Sequence, residues 1–431
     1  MTEKLAACYN AIMHKISAVC LETLGCKLNQ AESEDIGRNL EGAGFHLVKP
    51  TDYFDIYILN SCTVTSTADA KSRHSLRMAY HRNKEAKLVV TGCYAEKARN
   101  SLYKLPGVRL VLPNCEKEQI AAALVKIAAK EPSPINLKKN GRHVRIRSFI
   151  KIQQGCNRFC AYCIVPFVRG PEISVSTDSI IDEICKRVKL GYSELLLTGT
   201  EIGCYNYQAL DLSGLIKRIL NETKIARLRV SSLQPQEISE ELLSLWQNER
   251  LVPHFHLSLQ SGSDLVLRLM KRPYDRAGFL DAIKRIRTNL PEAAITTDVM
   301  VGFPGENEEE FETSYKFCET IGFARTHVFV FSPRPGTQAA NMKDHIPNFI
   351  KKIYARRMRA LGMKSARDYR TRFSGKVLSV LWEKQECEIW SGYTTNYIRV
   401  YTESGRELEN SITPVRILCP YKDGMMGELN K

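Results

Sequence analysis

Residues 149–163 read FIKIQQGCNRFCAYC. Phe149–Gln153 has the apolar density of a short buried strand. Three thiols follow it at once, Cys156, Cys160 and Cys163, on a loop at the strand's carboxyl end. Parallel β/α sheets keep their active sites at that end. Three thiols cannot close a structural zinc site, which takes four ligands, and a cubane iron–sulfur cluster also normally takes four. Three thiolates on a cubane leave one iron open, and an open metal position binds substrate. The spacing therefore predicts a metal centre that does chemistry.

Outward from this stretch, apolar runs alternate with helical periodicity along most of the chain. Ile16–Leu24, Phe54–Leu59, Lys87–Val90 and Val108–Leu112 read as strands, with helices over Asn29–Ala43, Thr67–Arg82 and Glu116–Lys130. That pattern predicts a small doubly wound α/β domain over residues 16–130. Residues 131–147 carry an Asn-Gly turn signal and the basic run Lys138, Lys139, Arg142, Arg145 and Arg147, which marks a linker. The alternation returns over 148–372. Strands are expected at Leu195–Leu197, Leu228–Val230, Phe255–Leu259, Ala294–Val299 and His327–Phe331, which implies a partial parallel (β/α) barrel. A long basic helix, Asn348–Arg372, ends this domain. Short alternating strands over 373–431 then predict a small antiparallel β-barrel.

The 431 residues carry 62 Lys+Arg against 47 Asp+Glu, a net charge of +15. A pI near 9.1 favours a polyanionic partner such as nucleic acid. Arg356, Arg357, Arg359, Lys364, Arg367, Arg370, Arg372 and Lys376 crowd one stretch with Asp368 as its one acid, and form the candidate RNA-facing surface. No apolar run approaches membrane-span length, and the amino-terminal stretch has no signal-peptide pattern, so the expected address is cytoplasmic, with no membrane partner. Fourteen cysteines in such a compartment point to metal or catalysis rather than disulfides.

The motif CNRFCAYC resembles the signature of the radical S-adenosylmethionine (SAM) superfamily. The resemblance implies a 4Fe-4S cluster on Cys156, Cys160 and Cys163 whose open iron chelates SAM and whose electron cleaves it to a 5′-deoxyadenosyl radical. Leu195–Gly203 (LLLTGTEIG) is similar to the segment that meets the SAM amino group, implicating Gly199, Thr200 and Glu201. Asp298–Glu306 (DVMVGFPGE) is similar to the segment near the adenosine, implicating Asp298, Gly302 and Gly305; a purely structural turn is the other reading of GFPG. Tyr162 joins this cofactor set.

Cys26, Cys62 and Cys93 lie far apart in sequence, yet each follows an early strand (LGCKLNQAES, LNSCTVT, VTGCYAE). Adjacent strands lie about 5 Å apart, so three such cysteines can converge. The three motifs closely resemble those of the methylthiotransferase amino-terminal domain, which implies a second 4Fe-4S cluster with an open iron. The family's order is cluster domain, radical-SAM domain, then a TRAM-like RNA-binding barrel, and the likeness spans nearly the whole chain. RVSSLQPQEI, FHLSLQSGSD and VFVFSPRPGTQAA look most like the group acting on threonylcarbamoyladenosine in tRNA; Pro273 and the VFVF stretch depart from it.

The implied reaction adds a methylthio group to C2 of that base at position 37, in the tRNA anticodon loop. It needs a flavodoxin- or ferredoxin-type electron donor and a sulfur donor. Isopentenyladenosine in tRNA and a ribosomal-protein aspartate are the alternative substrates, and an iron–sulfur redox or RNA-binding protein without SAM chemistry is the alternative class. Tyr393 and Tyr397 are candidates either to stack on bases or to fill the barrel core. The eight remaining cysteines read as structural, and His254 and His256 as residues on opposite faces of a strand.

Overall fold

A computed structural model of the chain describes residues 18–127 and 146–430. Cys8 and all of the basic linker except Ile146 and Arg147 fall outside the described residues. Two compact units emerge. One comprises residues 18–127 with Gly155–Asn157 and Cys163–Pro171; the other comprises residues 146–154, Arg158–Tyr162 and 172–430. No described helix is long and apolar enough to cross a membrane.

The first unit is a five-stranded parallel sheet in the order His46–Val48, Ala18–Thr23, Ile56–Ser61, Lys87–Gly92, Val108–Val111. Its strands alternate burial between two cores. Tyr57, Leu59, Leu88 and Val90 pack against Leu76, Ala79 and Leu102 of helices on one face. Ile56, Ile58 and Val89 pack against Ile36, Leu40, Ile120 and Leu124 on the other. Both faces are covered, which is why these strands read as unbroken apolar runs. Each buried aliphatic side chain contributes roughly 1.5–3 kcal/mol.

Two elements were not expected. His46–Val48 is a three-residue edge strand, too short to show a period. Helix Cys93–Leu102 has few buried apolar residues and breaks helical geometry at Ala98, so its periodicity is faint. The helix expected over Glu116–Lys130 begins as a 3-10 turn, Asn114–Gln119, before Ile120–Ile127.

In the second unit, Arg147–Lys151, Glu194–Thr198 and Arg227–Val230 form one parallel sheet. Ser232–Leu233, His254–Gln260, Ala294–Val301 and Arg325–Val330 form another. Val230 and Ser232 are nearly consecutive, so the two sheets run on as one partial barrel. Period-two alternation sorts the side chains. Ile150, Leu195, Leu197, Leu228, Val230, Phe255, Leu257 and Ile295 face the helices. Glu194, Arg229, His254, His256 and Thr296 belong to the alternate set and are also buried.

Helix Asn348–Thr371 leads into a closed barrel of Val377–Glu386, Ile389–Thr394, Arg399–Glu403, Gly424–Leu429 and Ile412–Tyr421, in that spatial order. The strand Gly424–Leu429 was missed, because GMMGEL has neither alternation nor β-branched residues.

The barrel closes the amino end of the parallel strands. Arg227 donates to the carbonyls of Tyr393 and Ser379 at 3.2 and 2.9 Å. Tyr397 stacks on Tyr393 and on His254, with ring centroids 4.9 and 4.7 Å apart, and the Arg147 and Arg229 guanidiniums lie over it. These tyrosines therefore serve the junction, at the strand ends opposite Gly199–Glu201. His254 and His256 are not on opposite faces, since residues two apart in a strand share one: both rings bond Thr296 Oγ1, at 3.1 and 3.0 Å.

Candidate functional site

In the first unit the three cysteines leave three adjacent strands at the carboxyl edge. Glycines set two of them. Gly25 has φ +106 and its missing Cβ would lie 2.9 Å from Cys62 Sγ, so the turn before Cys26 rests on Cys62. Gly92 has φ +93 and abuts the Ser61 carbonyl, where a Cβ would come within 2.3 Å. Cys26 is the N-cap residue of helix Lys27–Gly42 and Cys93 opens helix Cys93–Leu102, so both thiols stand at the amino end of a helix. Burial, with the nearby Cys93 and Cys26 adding to it, pushes the metal-free Cys62 thiol up to about 11.

A polar layer that the sequence reading did not single out holds this edge. Asn29 Nδ2 donates to the carbonyls of Leu24 and Ser61 at 2.7 and 3.0 Å, fastening the turns before Cys26 and Cys62 together. Asn60 Nδ2 donates to Asn29 O and Ser33 Oγ, both at 2.9 Å. Arg169 Nη1 donates to Glu32 Oε1 at 2.8 Å, and Nη2 to Asn29 Oδ1. Lys117 Nζ bonds the same Glu32. Burial opposes the carboxylate, but Lys117 and Arg169 outweigh it and bring Glu32 down to about 2. Burial likewise opposes the Arg169 charge, and Cys93, Glu32 and Cys26 more than offset it. Asn29 lies inside the quoted motif LGCKLNQAES, and Arg169 six residues beyond the last cysteine of the second motif, which was the available signal.

The cysteines of the second motif sit on the loop after Arg147–Lys151 and Gln153–Gln154. Gly155 has φ +76 with the Pro171 carbonyl 1.8 Å from where a Cβ would stand, and Cys156 N donates to Gly170 O at 3.2 Å. Cys156 and Cys163 group with the first unit and Cys160 with the second. Cys160 Sγ accepts from Arg272 Nη1 at 3.2 Å.

The remaining expected cofactor residues all lie in the second unit. Gln153 Oε1 accepts from the backbone N–H of Thr200 and Glu201 at 3.0 and 2.9 Å, shaping the turn after strand Glu194–Thr198. Gly199 fits only as glycine, because Gln153 O would be 2.8 Å from a Cβ. Thr200 Oγ1 is buried with no partner among the described residues, an acceptor and donor waiting for a ligand. Glu201 is held by Arg158 Nε at 3.1 Å and by Gln234 Nε2. Glu237 joins Arg158 at 3.2 Å, and burial, then the adjacent Glu201, raises its carboxyl to about 8. Cys204, read as structural, has its thiol within 4.8 Å of ligand atoms of Glu201 and Glu237. It accepts from Arg158 Nη2 at 3.4 Å.

The GFPG segment is a tight turn with Gly302 at φ +74 and Gly305 at φ +86, closed by Glu306, whose carboxylate accepts from Gly302 N. Tyr162 meets Phe303 of this turn edge-on at 6.4 Å. Asp298 lies within strand Ala294–Val301, with Oδ2 3.4 Å from His256 Nε2. Of the eight basic residues proposed to face RNA, Arg357 pairs with Glu312, Lys364 with Asp368 and Lys376 with Glu292. Arg370 is half-buried, and Arg356, Arg359, Arg367 and Arg372 are exposed.

The donor set fits a cubane cluster with an open iron at Cys156, Cys160 and Cys163, and the unpartnered Thr200 hydroxyl beside a glycine cradle fits a small polar ligand. A partial parallel barrel with this loop after its first strand is the build of a radical SAM enzyme. Residues 150–318 match the model of the radical SAM superfamily, and residues 18–113 that of "Uncharacterized protein family UPF0004". The chain is 34% identical to the threonylcarbamoyladenosine tRNA methylthiotransferase MtaB of Bacillus subtilis, over 95% of this chain and 96% of that one. It is 32% identical to the tRNA-2-methylthio-N(6)-dimethylallyladenosine synthase of Endomicrobium trichonymphae, over 90% and 94%. Among solved structures, the radical SAM methyltransferase TsrM of Kitasatospora setae shares the fold, with a TM-score of 0.57 at 14% identity over 75% of this chain and 77% of that one. The chain belongs to the radical SAM tRNA methylthiotransferase family and is an enzyme with a 4Fe-4S cluster and SAM as cofactors.

Proposed function

We propose that this enzyme adds a methylthio group to C2 of N6-threonylcarbamoyladenosine at position 37 of tRNA. The observation that carries the reading is the presence of two separate three-cysteine sets on one chain, each following the carboxyl end of parallel strands. One set is suited to opening SAM and the other to presenting sulfur. Relatives at 33–35% identity bear the threonylcarbamoyladenosine name, which favours that base. The +15 charge favours RNA over a protein substrate.

Cys156, Cys160 and Cys163 hold the first cluster, which when bound supplies the electron that opens SAM to a 5′-deoxyadenosyl radical. Gly199, Thr200 and Glu201 bind the amino acid end of SAM: Gly199 lets the ligand approach and the Thr200 hydroxyl meets its polar atoms. Arg158 and Gln234 fix the Glu201 carboxylate to receive the ammonium. Tyr162, Asp298, Gly302 and Gly305 border the adenosine. Arg272 orients Cys160 through its thiolate. Cys26, Cys62 and Cys93 hold a second cluster, and Asn29 and Asn60 fix their spacing. The exposed arginines of helix Asn348–Thr371 and the terminal barrel hold the anticodon stem and loop. A loop base is already partly unstacked, so extruding it costs little. A flavodoxin- or ferredoxin-type reductant and a sulfur donor complete the reaction, in the cytoplasm.

Mass spectrometry of tRNA nucleosides from cells with and without the gene tests this. Loss of 2-methylthio-threonylcarbamoyladenosine with accumulation of its unthiolated precursor is the expected result. Loss of the isopentenyladenosine product instead would reassign the substrate. An unchanged profile of both would sink the tRNA reading.

A further inference from the structure

Arg169, Lys117 and Glu32 form a buried group in which two basic side chains meet one carboxylate. Arg169 is 4% exposed, Lys117 6% and Glu32 5%, and one carboxylate serves both cations. A buried cation in excess is costly unless an anion meets it. The Arg169 guanidinium is anchored on Glu32 and on Asn29, and Asn29 bonds the turns that lead into Cys26 and Cys62. Asn114 Nδ2 ties the chain on the other side, donating to Val168 O at 2.6 Å and lying 3.9 Å from Cys93 Sγ. Cys93, Ile164 and Val168 pack together. The segment Cys163–Pro171 is thus fastened beside Cys93, with its arginine anchored next to the turns that lead into Cys26 and Cys62. For the fold alone, Lys117 already supplies a counter-charge to Glu32, so charge pairing does not require a second buried cation.

We propose that Arg169, backed by Lys117, is a positioning residue for the sulfur-donating site. Its guanidinium supplies the positive charge that holds a sulfide or thiolate anion at the open iron of the Cys26/Cys62/Cys93 cluster. The proposal rests on those cysteines holding a cluster. The cluster with three thiolates is already anionic, so a further anionic ligand is repelled unless a cation faces it. Arg169 is 4% exposed, and a charge interaction kept from water is strong.

The test uses the full chain with Cys156, Cys160 and Cys163 changed to Ala, reconstituted anaerobically so that the second cluster alone is present. Iron content comes first: a chain that retains no iron overturns the cluster reading and this proposal with it. On the loaded protein, the reduction potential and the affinity for methanethiolate are followed by electron paramagnetic resonance and absorption. Arg169→Gln should leave the iron content intact, shift the potential to more negative values and weaken methanethiolate binding roughly tenfold or more, the loss of one charge-assisted interaction. Arg169→Lys should recover most of both. Lys117→Met should move both in the same direction by less, and it decides the matter if Arg169→Gln fails to load. A loaded variant with unchanged potential and affinity would overturn the role.

Discussion

The cysteines of both sets are positioned by the residues beside them. Gly92 has a backbone conformation open only to glycine and a carbonyl where its Cβ would be. Gly92→Ala should therefore cost about 2–3 kcal/mol in the first unit, read by denaturant unfolding, and should lower iron retention. Glu306 makes an opposite case. Burial raises its carboxyl from 4.5 to about 8 against the Gly302 and Phe303 amides, and Oε1 has no hydrogen-bond partner among the described residues. The folded form thus binds the proton more tightly than the unfolded form. Its stabilising share is complete below about pH 4.5 and fades as pH rises toward 8, by about 1.4 kcal/mol per unit at most. Glu306→Gln, a neutral isostere, should flatten the fall in thermal midpoint across that window. An unchanged slope would show that another group titrates.

At the scale of elements, the interior charges of the partial barrel decide how it meets the terminal barrel. Arg229 forks onto Glu194 at 3.0 and 3.1 Å, both side chains 1% exposed, and Arg147 shares the same carboxylate at 3.6 Å. Glu194→Gln leaves Arg229 without its counter-charge, while Arg147 keeps Glu383, and should destabilise the second unit by about 3–5 kcal/mol, visible as a lower thermal midpoint. Replacing the ion pair wholesale by apolar residues should cost far less.

Much of this architecture was legible, because covered parallel strands write themselves as apolar runs and a thiol just after each of three such runs places three cysteines at one sheet edge. The alternation in Arg227-Leu-Arg-Val230 even held the sign of a polar interior. The partners of those arginines were not legible, since Ser379, Tyr393 and Tyr397 arrive from the terminal barrel far along the chain. The same holds for Arg158, Arg272 and Asn29: each sits in or beside a recognisable motif, but its hydrogen bond is a product of tertiary packing. Short or glycine-rich pieces such as His46–Val48 and Gly424–Leu429 carry too few residues for any period to emerge.

For the whole molecule, the net charge of +15 favours a polyanionic substrate. Arg356, Arg359 and Arg367 project from one helix into solvent. Changing all three to Gln should weaken tRNA binding and reduce the slope of log affinity against log salt by about two to three units, at roughly 0.7–0.9 per lost phosphate contact. An unaltered slope would place the RNA elsewhere.

The parallel strands also have a beginning and an end that never meet. No pairing joins Arg147–Lys151 to Arg325–Val330 among the described residues. A closed cylinder takes in only what passes through its mouth, so it selects for small or free-ended guests. A cylinder slit along its length is indifferent to what extends on either side of the reacting group. A nucleotide in the middle of a long strand can enter it sideways, as a thread enters a split bead, and leave without the strand being cut.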